Sequence, residues 1–192
     1  MGTGIVVCGL NGCGKSTLGR ALADALGFHF IDNEDLYFPK TDPDNPFASP
    51  RSQDEVARLL LEEAKTHENF VFSSVRGNYG AEILPYYRYA VLLAVPKEIR
   101  MQRIRDRSFR KFGSRALPGG DLYPQEKAFF DMAEARSEDY AERWLSTLSC
   151  PILRVDGSGS VAENLDLILR WLKGRPLGTK SVLADKSVLA DA

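Results

Sequence analysis

Apolar and polar positions along the chain alternate between two periods. Residues 5–8 form a short apolar run that ends in glycine-rich sequence. Residues 16–26 then carry Leu18, Ala21, Leu22, Ala25 and Leu26 at helical spacing, and Gly27 stops that helix. Residues 28–31 predict a second strand that ends in acids, and the proline-rich polar stretch 32–50 predicts a loop. Residues 52–65 predict a helix with Val56, Leu59, Leu60 and Ala64 on one face. Strands follow at 70–75 and 89–95, the second nearly all apolar, as in a strand covered on both faces. Pro96 opens a helix that runs to about residue 110. A glycine-containing loop over 112–123, a long helix over 124–148, a fifth strand at 152–155 and a helix over 161–172 complete the series.

Strands alternating with helices predict an α/β fold: a five-stranded parallel sheet with helices on both faces. A chain of 192 residues, 44% of them hydrophobic, suffices for one sizeable core, and we expect one domain over residues 1–175. Beyond it, residues 180–185 read KSVLAD and residues 186–191 repeat them. Residues 176–192 are therefore expected to be an appended or disordered tail without a functional part.

Charge sharpens this picture locally. The formal net charge is −1, which gives no global attraction to nucleic acid or to an anionic membrane. Residues 100–115 nevertheless hold Arg100, Arg103, Arg105, Arg107, Arg110, Lys111 and Arg115 against one acid, Asp106. A positive cluster on an acidic body points to an anionic ligand of limited size. Cys8, Cys13 and Cys150 form neither a disulfide framework nor a metal spacing, which points to a reducing compartment. No apolar run approaches the ~20 residues of a membrane span, and the N-terminus shows no signal-peptide pattern. The expectation is a cytoplasmic protein, monomeric, with no membrane or nucleic-acid partner.

The chemistry is carried by Gly9-Leu10-Asn11-Gly12-Cys13-Gly14-Lys15-Ser16, which fits G-x-x-x-x-G-K-[ST] between a strand and a helix. The glycines let the backbone curl so that its N–H groups surround phosphate oxygens, and the following helix adds its positive end. Lys15 reaches the β- and γ-phosphates of ATP, and Ser16 binds Mg²⁺. The loop's part of the expected cofactor-binding set is thus Gly9, Asn11, Gly12, Cys13, Gly14, Lys15, Ser16 and Thr17, and Arg103 and Arg107 complete the set. Cys13 is read as a small residue fitted to a tight loop rather than as an activated thiol.

Several P-loop classes are excluded. No strand ends in an acidic pair, no LSGGQ-type signature appears, and the N-K-x-D of a GTPase is absent. The third strand ends Phe72-Ser73-Ser74 without a magnesium-holding Asp, and Asp32 at the end of the second strand is the natural substitute. Gly14-Lys15-Ser16-Thr17-Leu18-Gly19-Arg20-Ala21-Leu22-Ala23, continued by Leu26-Gly27 and Phe30-Ile31-Asp32-Asn33-Glu34, resembles the opening of shikimate kinases, with their G-K-S-T-x-G-R-x-L-A and D-x-D. Asp35-Leu36-Tyr37-Phe38-Pro39 is similar to the continuation in gluconate kinases. The resemblance implies a P-loop NTPase of the nucleotide and shikimate kinase type, with a mobile lid over ATP and an acceptor site fed by the second and third strands. The sequence departs from shikimate kinases at Glu34, at Val75-Arg76-Gly77-Asn78 in place of a triple glycine, and in the absence of a T-x-R-P-L lid.

The remaining candidates follow from that frame. Asp32 and Glu34 alternate along what reads as an extended segment at the carboxyl edge of the sheet, where open α/β sheets bind ligands. Asp32 is expected to orient the Mg²⁺ shell, and Glu34 to hold or deprotonate an acceptor hydroxyl. Arg76 and Gly77 lie at the same edge, either as acceptor contacts or as an ordinary exit turn. Arg103 and Arg107 share one helix face, and the resemblance places the lid, about residues 107–123, in this region with arginines for the transferring phosphate. It also places residues 156–159, Asp-Gly-Ser-Gly, against the adenine. His29 and His67 read as single histidines without partners, and no metal cluster is expected.

Arg136 has its own warrant. With Met132, Tyr140, Trp144 and Leu148 it recurs every four residues on the long helix, so an inward apolar stripe would carry one guanidinium. Such a group must meet a carboxylate, for example Glu34 or Asp35, or an anion from outside. The resemblance favours the anion, because Arg136-Ser137-Glu138-Asp139-Tyr140 matches the Arg-x-x-x-Tyr that grips the substrate carboxylate in shikimate kinases. The expected function is transfer of the γ-phosphate of ATP to a hydroxyl of a small, anionic acceptor. The alternatives are a nucleoside or nucleotide kinase, a nucleotide-dependent regulatory protein with little turnover, and an RNA-binding P-loop protein using residues 100–115.

Overall fold

In a computed structural model, which describes residues 2–39, 42 and 44–177, strands and helices alternate as the periodicity predicts. The tail expected over residues 176–192 lies almost wholly outside the described residues. The strands are β1 (Gly4–Cys8), β2 (His29–Asp32), β3 (Phe70–Ser73), β4 (Tyr87–Ala94) and β5 (Ile152–Asp156). They form one parallel sheet in the order β2-β3-β1-β4-β5. Helix α1 (Lys15–Leu26) follows β1, α2 (Asn33–Tyr37) and α3 (Gln53–Thr66) follow β2, and α4 (Lys97–Phe112) follows β4. Then come α5 (Tyr123–Ala135), α6 (Tyr140–Leu145) and, after β5, α7 (Val161–Leu172).

Both faces of the sheet are covered, which is why its strands are apolar at consecutive positions. Ile5, Val7, Val71 and Val91 pack under α1 and α7 with Leu18, Leu22 and Ile168. Val6, Cys8, Phe70 and Phe72 point the other way and pack with Val56 and Leu60 of α3 and Trp144 of α6. Alternate residues of each strand thus enter two separate apolar layers. Ser52 and Ser160 fix the starts of α3 and α7 by capping boxes with Glu55 and Glu163. Parallel register brings every carboxyl end to one edge: Val7 pairs with Ser73 and Asp32 with Ser73, while Ala94 pairs with Asp156. Because β1 and β4 are neighbours whose connections leave toward opposite sides, a crevice opens at that edge.

Two elements depart from the sequence expectation. The stretch after β2 is not all loop, because Asp32 caps a short helix, α2, by accepting from Glu34 N–H at 3.0 Å. The expected helix over 124–148 is two helices, α5 and α6, separated by Arg136, which takes extended dihedrals (φ −68°, ψ 126°). The break has a cause outside the local sequence. Glu138 leaves the helical path to pair with Arg100, a guanidinium only 1% exposed, at 2.6 Å. Met132 is consequently exposed while Trp144 is buried, so the continuous stripe through Arg136 does not exist.

Arg100 is therefore a structural residue rather than part of a solvated basic face. Its guanidinium donates to Val95 O at 3.0 Å and to Asn11 O at 3.4 Å besides meeting Glu138. Arg100→Ala leaves a cavity and two carbonyls short of a donor. It is expected to destabilise the protein by about 3 kcal/mol, measured as a shift in the urea midpoint; a loss under about 1 kcal/mol contradicts this role.

Candidate active-site cleft

The glycine-rich loop after β1 is shaped by what surrounds it. Gly12 has φ 82°, and a Cβ there would sit 2.4 Å from Arg100 O, so only glycine fits between the loop and α4. Gly14 caps α1 in a left-handed conformation without a side-chain cap, and no acid stands in the first turn. The free N–H groups and positive end of α1 consequently face the cleft, ready for an anion. Lys15 Nζ folds back over the loop to donate to Leu10 O at 3.1 Å. Ser16 lines the cleft beside it, whereas Thr17 is exposed on the first turn and does not. Cys13 is 1% exposed and belongs to the core cluster beneath the loop, a packing role.

The cleft has a volume of about 660 Å³, within the ~300–1,000 Å³ usual for small-molecule sites. On its floor, Asp32 and Ser73 sit side by side on paired strands. One Asp32 oxygen is used by the α2 cap. Ser73 Oγ is buried and finds no hydrogen-bond partner among the described residues. A buried orphan hydroxyl next to a carboxylate marks a place for polar ligand or ordered water. Glu34 is in the first turn of α2, not on an extended segment, and its carboxylate faces Arg107 Nη1 at 3.8 Å across the opening. Both side chains are substantially exposed, so this ion pair is a weak contact that a ligand can replace.

The far wall holds two guanidiniums on one aromatic ring. Arg76 lies 4.1 Å and Arg136 5.0 Å from the centroid of Tyr140. Neither forms an ion pair with a carboxylate of the described residues, and the expected competitors Glu34 and Asp35 do not pair with Arg136. Arg136 instead donates to Asn11 Oδ1 at 2.5 Å, linking the far wall to the phosphate loop. Burial lowers the pKa of Arg136 from the ordinary arginine value, and the Arg76 charge adds to this against the opposing effect of Tyr140. Gly77 is placed elsewhere: it is buried, with the space for a side chain filled by Trp144 and the Tyr87 hydroxyl, 2.8 Å from the would-be Cβ. Tyr87 Oη donates to Gly77 O at 3.1 Å, which fixes the turn that presents Arg76.

The remaining basic residues divide by location. Arg107 and Lys111 line the cleft. Arg103 does not; it donates to Gly157 O at 3.2 Å and ties α4 to the loop after β5. Arg115 pairs with Asp121 at 2.7 Å within the segment that joins α4 to α5. That segment and the helix ends on either side of it reach across to residues 44–47: Arg115 donates to Asp44 O, Gln125 of α5 exchanges hydrogen bonds with Asn45 at 3.3 Å, and Lys111 Nζ of α4 lies 4.0 Å over Phe47. Residues the sequence reading passed over thus complete the cleft. Ser73 drew attention in the sequence only for lacking a carboxylate, whereas Tyr140 stood there already in the Arg-x-x-x-Tyr spacing with Arg136. Phe47, in the polar proline-rich stretch, gave no signal at all.

This fold and cleft define a P-loop protein of the shikimate and gluconate kinase type. The chain belongs to the AAA domain family, whose model matches residues 5–114. It is 32% identical over 176 residues to the uncharacterized protein YqaC of Bacillus subtilis (strain 168), an alignment spanning 88% of this chain and 96% of that protein. Among solved structures it is similar in fold to a gluconokinase from Sinorhizobium meliloti 1021, with 21% identity, 89% of this chain and 91% of that one covered, and a TM-score of 0.53. It is similar likewise to the shikimate kinase of Aquifex aeolicus vf5, with 20% identity, coverage of 92% and 100%, and a TM-score of 0.53. No described helix is long and apolar enough to cross a membrane.

Proposed function

We propose that this protein transfers the γ-phosphate of ATP to a hydroxyl of a small anionic acceptor. The observation that carries the reading is the layout of one cleft. The phosphate loop and two arginines without carboxylate partners among the described residues, Arg76 and Arg136, line the same cleft, the arginines stacked on Tyr140 and Arg136 reaching the loop at Asn11. Guanidiniums held on an aromatic face and half-buried match a carboxylate or phosphate of the acceptor. Its hydroxyl would then lie near Glu34, placed to hold or accept the proton, and Arg107 would exchange Glu34 for the transferring phosphate. In this reading Lys15 holds the phosphate, and the loop amides of Gly9, Asn11, Gly12, Cys13, Gly14 and Ser16 surround it.

Ser16 and Asp32 would hold hydrated Mg²⁺, and the orphan Ser73 hydroxyl supports this fit by offering a buried polar contact for its water. The ion supplies charge neutralisation at the phosphates. In a thermal-shift screen with Mg²⁺ and a non-hydrolysable ATP analogue, an anionic metabolite bearing a hydroxyl is expected to raise Tm beyond the nucleotide alone. Stabilisation by nucleosides only would instead select a nucleoside or nucleotide kinase. A second reading has one observation behind it. β3 ends at Ser73 and is followed by Ser74, without an acid, which favours a nucleotide-dependent binding protein with little turnover, and ATP binding without any product in a multiple-turnover assay would select that.

Residues 107–123 serve as a lid in this proposal. Their contacts to residues 44–47 are an exposed hydrogen bond, from Arg115 to Asp44 O, and the contacts of Lys111 and Phe112 with the Phe47 ring, each weak enough to exchange. Hydrogen exchange over residues 113–122 is expected to slow about tenfold or more when the Mg²⁺–ATP analogue binds. Equal protection with and without nucleotide would remove the lid.

A further inference from the structure

We infer that His29, Glu63 and His67 form a binding site for a divalent transition metal of the Zn²⁺ class, remote from the cleft. Along the chain these histidines have no partner, yet the fold brings them face to face, with ring centroids 3.5 Å apart and planes 12° from parallel. Both direct Nε2 at the same atom, Glu63 Oε2, at 2.9 Å from His29 and 3.4 Å from His67. One ligand atom from each of the three residues falls within a 4.8 Å cluster.

The ligands come from two firm elements. Glu63 and His67 are four residues apart at the end of α3, so their side chains share one face. His29 is the first residue of β2, held in register opposite Phe70. Two imidazoles and a carboxylate are the donor set that suits Zn²⁺, with water completing the coordination. All three side chains are between 37% and 39% exposed, so an ion has an entry path. Bonds of about 2.1 Å to both Nε2 atoms require the stacked rings to splay apart, a χ rotation that half-exposed side chains permit. The ion would pin the end of α3 to the edge strand β2. Asp32 ends that strand, about 10 Å from His29 at 3.3 Å per residue, so the metal is separate from the Mg²⁺ proposed at the phosphates.

The chain has only two histidines, and both are in this cluster. The unaltered, untagged protein therefore reports the site without any substitution. Zn²⁺ titrated into chelator-treated protein, without nucleotide, is expected to bind saturably at one ion per chain and to shift the ring-proton resonances of both histidines together. His29→Ala and His67→Ala are each expected to weaken this binding by more than about 100-fold, beyond the 10–100-fold typical of lost outer contacts. Co²⁺ should give a visible absorption band that the same variants lose. Absence of saturable uptake would overturn the inference, as would uptake that leaves both histidine resonances unmoved, which would place the ion on a cysteine such as Cys150.

Discussion

Lys15→Ala is expected to lower ATP-dependent phosphoryl transfer by about 10²–10³-fold while leaving the urea midpoint nearly unchanged. The side chain donates to the Leu10 carbonyl at 3.1 Å and makes a long contact to Cys13 Sγ at 3.9 Å, and the carbonyl can turn to water when the lysine is gone. The loop itself is held by other contacts: Gly12 fitted against the Arg100 carbonyl, and the Asn11 carbonyl held by the Arg100 guanidinium. The loss should therefore fall on the transition state, where charge builds on the transferring group, and not on folding. The check is single-turnover transfer from ATP by purified native and variant protein, with unfolding curves for both. Native-like turnover by the variant would remove the proposed kinase chemistry, because the other lysine that lines the cleft among the described residues, Lys111, is held over the Phe47 ring.

Arg136→Lys is expected to raise the acceptor KM by about 10–100-fold, the equivalent of losing one charge-assisted hydrogen bond of ~1.5–3 kcal/mol. An ammonium can replace the charge but not the planar fork or the stacking on Tyr140. Affinity for the ATP analogue should fall far less, although not to zero effect, because Arg136 also donates to Asn11 of the phosphate loop. Arg76→Ala tests the same wall and should weaken the acceptor with no change in nucleotide affinity, since Arg76 makes no hydrogen bond to the loop and lies on Tyr140. An uncharged acceptor, or an unchanged KM in Arg136→Lys, would end the anion-binding role. Because β1, β3 and β4 set the sheet independently of either arginine, both variants should fold.

Local signals determined much of this molecule. The apolar runs at residues 5–8 and 70–73, the periodicity of α1 and α3, and the glycine stops specify their elements through interactions within a few residues, so they are readable in one dimension. The phosphate loop is legible for the same reason: strand, glycines, lysine and helix follow one another in the chain, and their geometry is local. What the fold alone decided involves partners distant in sequence. The helix expected over 124–148 breaks because Glu138 meets Arg100, 38 residues away, and the energy of pairing a buried guanidinium outweighs the small propensity that would carry the helix through Ser137 and Asp139. Glu34 faces Arg107 and Arg136 faces Asn11 for a reason no spacing reveals: parallel register sets all carboxyl ends at one edge, and the arm after α4 folds back over them. His29 and His67 each look solitary in the sequence. They become one cluster with Glu63 only because β2 lies at the sheet edge where α3 returns, so that residues from different elements share a few ångströms of space.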